Sequence, residues 1–342
     1  MAGSLTEPAV RASRPSTPES IDADLAGLWR GLAQGDAPVA RAVMSNLVVV
    51  RARSVAADTG VETMTAGLPL DGVVARHPSR LIVLEHEHPR DGPGAPFAAA
   101  VGIVVFGPPH ARYGVEQIVV RSACAEAALP SIVHGLIRGD LPTTVWWTED
   151  LSELPPLEAL ITMGRQLIYD SRTWRDIRAG VRALAPIVAA NRVDLADVNW
   201  RRLAPLRRAL GLAPGGRAAA ASLAGAQVRV AYRDNEAALA WLLAGWLIAA
   251  REHTAGAAPP EIAPSTSEDA VLSVEIRRGS TALTATLTSR SVVVSEGAAA
   301  PLIVGVQVEG EADALAAELG TLSQDTALHA AMAALARHFG PR

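Results

Sequence analysis

Two short apolar runs constrain the fold of this chain more than any other feature. They are Asn46 to Arg51 (NLVVVR) and Arg80 to Glu85 (RLIVLE). Each is compact and rich in β-branched residues, which by length and composition reads as a buried strand. The stretch between them, Ser54 to Ala75, carries mixed signals and is read as partly helical. Strand, crossover and strand of this length imply a parallel pair joined by a right-handed connection.

The remaining pattern extends that start. Thr17-Pro18-Glu19 is a helix opening, followed by Ile21, Leu25, Leu28, Trp29 and Leu32 at helical spacing, and residues 1–16 are expected to form a disordered leader. Ala98 to Phe106 and Val115 to Arg121 form an expected antiparallel hairpin across Gly107-Pro108-Pro109. A helix through Leu129, Val133 and Leu136 and a strand over Thr143 to Thr148 come next. Leu157 to Met163 reads as a short helix and Gln166 to Tyr169 as a strand. Thr173 and Asp176 are read as a capping box for the helix carrying Ile177, Val181 and Leu184. Val198 to Leu210 reads as helix interrupted by Pro205.

Beyond a Gly/Ala-rich stretch (Gly211 to Ala224), the order is strand (Gln227 to Tyr232), helix (Glu236 to Arg251) and linker (Thr254 to Glu268). Strands follow at Val271 to Arg277, Thr281 to Ser289, Ser291 to Ser295 and Leu302 to Val308, then helices near Glu311 to Leu319 and Asp325 to His338. The fold class is therefore α/β, with an N-terminal mixed-sheet α/β domain over 17–165 and a C-terminal α+β domain over 166–342.

Composition excludes several chemistries. The 31 cationic residues are all arginine, so a Schiff-base, pyridoxal-phosphate or P-loop enzyme has no lysine to work with. The net charge of −4 does not point to nucleic acid as a partner. Cys124 is the single cysteine, which rules out an intrachain disulfide or a Cys zinc cluster and suits a cytoplasmic location. Ala237 to Ala250 is the longest uncharged apolar run. It is shorter than the ~20 residues a membrane span needs, and reads as a buried helix.

Few constellations carry chemistry. His86 and His88 share one face of a strand end, with His110 as the nearby third histidine, but a solvated strand end before Pro89 is the preferred reading. No Gly-x-Gly-x-x-Gly follows any strand. Asp170-Ser171-Arg172 lies at a strand-to-helix turn, where side chains either satisfy the local backbone or, in the alternative reading, bind a sugar phosphate. No histidine stands between His134 and His253 to activate Ser171. Trp146-Trp147 point to opposite faces of one strand; one must be core, and the other can serve as an exposed anchor. Trp200 with Arg201, Arg202, Arg207 and Arg208 is an aromatic and basic cluster, read first as a solvated helix face and otherwise as forks for a partner's carboxylates.

Taken in order, the motifs resemble one family. The series is Asn46-Leu47-Val48-Val49, His77-Pro78-Ser79-Arg80, Glu116-Gln117-Ile118, Asp140-Leu141-Pro142 before Trp146-Trp147, Asp170-Ser171, and Asn199-Trp200-Arg201-Arg202-Leu203 with Pro205. It is similar to the OpcA family, the glucose-6-phosphate dehydrogenase assembly proteins of cyanobacteria and actinobacteria. The resemblance implies a non-catalytic subunit without cofactor or metal. Such a subunit binds glucose-6-phosphate dehydrogenase and promotes its active oligomer in the oxidative pentose phosphate pathway. It also marks candidate partner or anion contacts at His77, Arg80, Trp146, Trp147, Asp170, Ser171, Arg172, Asn199, Trp200 and Arg201. Leu206 stands where the family usually has a bulky aromatic, and thioredoxin control is not carried over to a chain with one cysteine.

Overall fold

The structure is a computed structural model that describes residues 8, 10–35, 37–52, 60–86, 97–122, 128–213, 223, 225–251, 259–265, 269–321 and 323–340. Among them, nine strands build a first sheet: β1 (Val10–Ser16), β2 (Val39–Arg41), β3 (Ser45–Ala52), β4 (Ser79–His86), β5 (Ala98–Phe106), β6 (Arg112–Ser122), β7 (Thr143–Trp147), β8 (Gln166–Tyr169) and β9 (Asp194–Asp197). Six more build a second: β10 (Gln227–Tyr232), β11 (Glu261–Pro264), β12 (Leu272–Arg278), β13 (Thr281–Leu287), β14 (Ser291–Glu296) and β15 (Leu302–Gly305). The helices are α1 (Ile21–Ala33), α2 (Val61–Thr65), α3 (Leu70–Arg76), α4 (Leu129–Leu136), α5 (Glu158–Ile161), α6 (Ile177–Ala190), α7 (Val198–Arg201), α8 (Ala204–Leu212), α9 (Ala237–Arg251), α10 (Glu311–Gly320) and α11 (Thr326–Phe339).

The first sheet runs β1-β5-β6-β4-β3-β7-β8-β9, with β2 beside β6. The expected parallel pair is present, with Asn46 opposite Arg80 and Arg51 opposite Glu85. The β5–β6 hairpin is antiparallel, as the turn residues imply. Gly107 in that turn has a φ of +90°, and a Cβ there would lie 2.4 Å from the Ala111 carbonyl oxygen. Strands β6, β4, β3, β7, β8 and β9 are mutually parallel. Numbered in chain order they stand 3-2-1-4-5-6, the order of a doubly wound sheet.

Such a sheet is covered on both sides, and the apolar runs of β3 and β4 follow from that. Val48, Val50, Ile82 and Leu84 enter one apolar cluster while Leu47, Val49, Leu81 and Val83 enter another. Burying each such side chain contributes about 1.5–3 kcal/mol. The first cluster is continuous from α1 and α4 through α6 and α9 to the inner face of the second sheet. The second cluster holds α2, α3 and also α10, so the C-terminal end of the chain packs back on the first sheet.

Several expectations are corrected. Residues 10–16, expected within a disordered leader, form β1, paired antiparallel with β5 from Val10–Val105 to Ser16–Ala99. The expected division at 165/166 cuts through the first sheet, because β8 and β9 extend it to Asp197. The linker expected over Thr254 to Glu268 contains β11, paired parallel with β10. The helical stretch is interrupted at Arg202 and Leu203, and Pro205 stands in the first turn of the second helix, α8, where its missing N–H costs nothing. Asp176 caps α6 through the Ala179 N–H at 3.0 Å, while Thr173 belongs to the preceding turn, so the two do not form a capping box. Helix α9 is largely buried, and no described helix is long and apolar enough to cross a membrane.

Candidate functional site

In an open α/β sheet, ligands bind outside the carboxyl ends of the strands where the strand order reverses. Here that place lies between β3 and β7. The chain closes it with its own groups. Thr148 donates to the Val50 carbonyl from both its N–H (3.1 Å) and its hydroxyl (3.0 Å). Glu149 Oε1 accepts the Ala52 N–H at 2.6 Å. Among the described residues, the cavity at this place measures about 50 Å³ and is lined in part by His86, Trp147 and Leu154. A small-molecule site is usually ~300 Å³ or more. Cys124, Glu87 and His88 lie outside the described residues, and His110 is exposed on its loop. Among the described residues no group of three His, Cys, Asp or Glu side chains is placed to hold a metal ion.

The turn after β8 is equally committed. Asp170 accepts the Arg172 N–H at 2.9 Å and the Arg172 Nε at 2.8 Å, so the arginine is neutralised by its own turn. That hydrogen bond raises the Arg172 pKa. The Ser171 N–H donates to Asp197 Oδ1 at 3.1 Å, as does the Asn199 N–H at 2.8 Å. Asn199 Nδ2 donates to Ser171 Oγ at 3.0 Å, and both side chains are fully buried. Arg202 ties this cluster to α9 by donating to Asn199 Oδ1 and to both oxygens of Glu236 at 2.6 and 2.7 Å. The Ser171 and Arg172 amides are thus taken up within the turn, which fastens β8 to β9, while the partly exposed Arg172 side chain lines the adjoining hollow.

Asp197 is the member sequence reasoning missed. Desolvation first, and the nearby Asp170 charge second, push its pKa up to about 7. Its Oδ2 is buried with no hydrogen-bond donor among the described residues. Beneath it, the buried Tyr169 ring stacks on Trp174 at 5.7 Å, and burial raises its hydroxyl pKa well above the ordinary value. The available signal was an acid directly before a helix start, an N-cap pattern.

The other motif residues also face inward. Trp146 and Trp147 are each 5% exposed, one in each apolar cluster, so neither serves as an exposed anchor. Arg80 is buried on Glu116, with Nη1 to Oε2 at 2.6 Å, and Glu116 also accepts Trp29 Nε1 at 2.8 Å. Burial lowers the pKa of Arg80 against the opposing pull of Glu116. His77 Nε2 lies 3.2 Å from Ser45 Oγ, and burial lowers its pKa. Trp200 is 3% exposed and donates Nε1 to Asp325 Oδ2 at 2.7 Å. Arg201 holds Glu309 through two bonds of 2.8 Å and Glu318 through a third. Leu206 is fully buried in the main core.

A large concavity is accessible beside these residues. A cleft of about 840 Å³ opens between α7–α8 and the C-terminal segments, with Trp200, Arg201, Arg207, Arg208, Glu309 and Glu318 in its wall. Arg207 sits over the Trp200 ring at 3.9 Å. An adjoining hollow of about 330 Å³ shares Arg201, Pro205, Gln307, Val308 and Glu309 with it.

Fold and site define a class: an α/β protein on a doubly wound sheet, with Thr148 and Glu149 bonding across its switch point among the described residues and a broad concavity against the C-terminal part of the chain. Family comparison makes this specific. The model described as the glucose-6-phosphate dehydrogenase subunit N-terminal domain matches residues 71–186, and the one described as the C-terminal domain of that subunit matches residues 193–332. The chain belongs to the OpcA family of glucose-6-phosphate dehydrogenase assembly proteins. The two matches meet between β8 and β9, inside the first sheet. No curated protein matches the chain. Among solved structures, a super-repressor mutant of Gal80p from Saccharomyces cerevisiae is similar at 7% identity with a TM-score of 0.36. The likeness covers 58% of this chain and 69% of that one.

Proposed function

We propose that this chain is a non-catalytic cytoplasmic subunit that binds glucose-6-phosphate dehydrogenase and shifts it toward its active assembly. The observation that carries the reading is the family membership, which extends over both parts of the chain. The geometry supports it in a particular way. The residue types that looked chemical in the sequence are spent on the molecule's own framework, and the open concavity is a broad polar cleft rather than an enclosed pocket.

A subunit of this kind acts through differential affinity. If it binds the active assembly more tightly than the inactive one, it moves the equilibrium by that difference, with ~1.4 kcal/mol for each tenfold. The test mixes the purified chain with the dehydrogenase from the same organism. Co-elution is expected, together with a change in oligomeric state and higher activity at subsaturating substrate. Separate elution with unchanged activity and oligomeric state would reject the reading.

A further inference from the structure

The wall of the large cleft holds four arginines and four carboxylates, but they are unevenly paired. Its acids are engaged within the molecule. Glu309 and Glu318 are held by Arg201, and Asp313 pairs with Arg76. Asp325 accepts Trp200 Nε1 and caps α11 through the Ala327 and Leu328 N–H groups at 3.0 and 2.9 Å. Two of its cations have no such partner: neither Arg207 nor Arg208 has a carboxylate within ion-pair distance among the described residues. Arg208 is exposed. Arg207 is half-buried, its guanidinium is fixed over Trp200, and its Nε is buried with no acceptor among the described residues. Burial lowers its pKa, and Asp325 offsets this only in part.

A desolvated guanidinium without a hydrogen-bonded counter-charge is costly, and a carboxylate brought in from outside relieves that cost. The ring covers one face of the Arg207 guanidinium and leaves its two Nη groups as the donors for a carboxylate. At the rim, Val308 is 81% exposed and lines both the cleft and the adjoining hollow. An isolated small anion would answer the arginines but not the exposed apolar rim or the breadth of the cleft. An acidic stretch of polypeptide with an apolar residue beside the acid answers all three.

We propose that this cleft is where the partner protein docks, through an acidic segment that places one carboxylate on Arg207 and a second on Arg208, with an apolar side chain against Val308. The inference rests on the reading that the partner is the dehydrogenase, and it adds the surface and the chemistry that surface recognises. Trp200 and Arg201 then act as positioning residues: one holds Arg207, and the other keeps Glu309 and Glu318 from occupying the cations.

The test measures affinity of the full-length chain for the dehydrogenase at low and at physiological ionic strength. The variants are Arg208→Glu, Arg207→Gln and Val308→Asp, with Arg278→Glu at an exposed position outside the cleft as control. The expected result is a loss of about tenfold or more for each cleft variant, with most of the salt dependence gone in Arg208→Glu and the control unchanged. Arg208→Glu and Val308→Asp alter exposed side chains, so unfolding midpoints close to wild type are expected and separate docking from folding. If the cleft variants bind like wild type while wild type binds well, the docking surface is wrong and the subunit function stands. If wild type does not bind, both fall. If inorganic phosphate at matched ionic strength displaces the dehydrogenase completely, the arginines belong to a free anion and the proposal is overturned.

Discussion

The two sheets of this molecule bury their strands in opposite ways. In the first, neighbouring residues along β3 and β4 are both buried, because helices cover both faces. In the second, burial alternates: Val228 and Val230 on β10, or Val292 and Val294 on β14, face the core while their neighbours stay partly exposed. A doubly covered sheet can meet a ligand only at the ends of its strands, and here, among the described residues, Glu149 and Thr148 bond across the usual end. A singly covered sheet leaves margins. The open cleft accordingly forms where the last strand, β15, and the segment after it meet α7 and α8.

The sharpest way to break this comparison is at the junction. Trp200→Ala removes a buried indole, its bond to Asp325 and the support of Arg207, and is expected to cost about 3–5 kcal/mol in urea unfolding. A loss under ~1 kcal/mol would mean the two halves do not depend on this joint.

Asp197 tests the same region through pH. Its pKa is raised from an ordinary 3.8 to about 7, so the folded state holds a proton that the unfolded chain has already released. Stability contributed by this group is present below pH ~4, declines as pH rises toward ~7, and levels off above that. At ~1.4 kcal/mol per unit the span is of the order of 4 kcal/mol. Asp197→Asn keeps an acceptor for the Ser171 and Asn199 amides and is expected to flatten the profile. An unchanged profile, measured by denaturation from pH 5 to pH 8, would assign the slope to other groups.

The sheets themselves can be compared by single truncations. Val48→Ala and Val49→Ala face opposite sides of the first sheet, and each is expected to cost about 2 kcal/mol. On β14, Val292→Ala should cost as much and Val293→Ala less than ~1 kcal/mol, because only Val292 is fully buried. Equal losses at Val292 and Val293 would show that the second sheet is covered on both faces in solution. The smallest effect is expected at Ile303, which is 64% exposed on β15; Ile303→Ser should shift the unfolding free energy by no more than ~0.5 kcal/mol.

The strands legible in the sequence were those whose apolar run reports burial directly. β3, β4, β5, β6 and β8 are of this kind, and their ends fall within a few residues of expectation. The strands that were not legible are β1 (VRASRPS), β2 (VAR), β9 (DLAD) and β11 (EIAP). They are short or rich in charge and proline, and their pairing comes from the sheet edge they meet rather than from their own composition. The site shows the same limit in another form. Trp200 and Arg201 were singled out as residue types, but the partners that decide their role, Asp325, Glu309 and Glu318, lie more than a hundred positions away. Arg207 and Arg208 stood in the noted cluster, and only the fold shows that they lack the carboxylates that Arg201 and Arg202 hold.

Strand β1 has a practical consequence for handling the protein. It lies along β5, whose nine residues, Ala98 to Phe106, contain no charged or polar side chain. The covering strand carries Arg11, Arg14 and Pro15, which discourage addition of a further strand outside it. A proteolytic nick or an expression tag trimmed past Ser16 would take away this gatekeeper and leave a bare, adhesive ribbon as the sheet margin. Yield and shelf life of the purified protein should therefore depend on seven residues that touch neither the cleft nor its arginines.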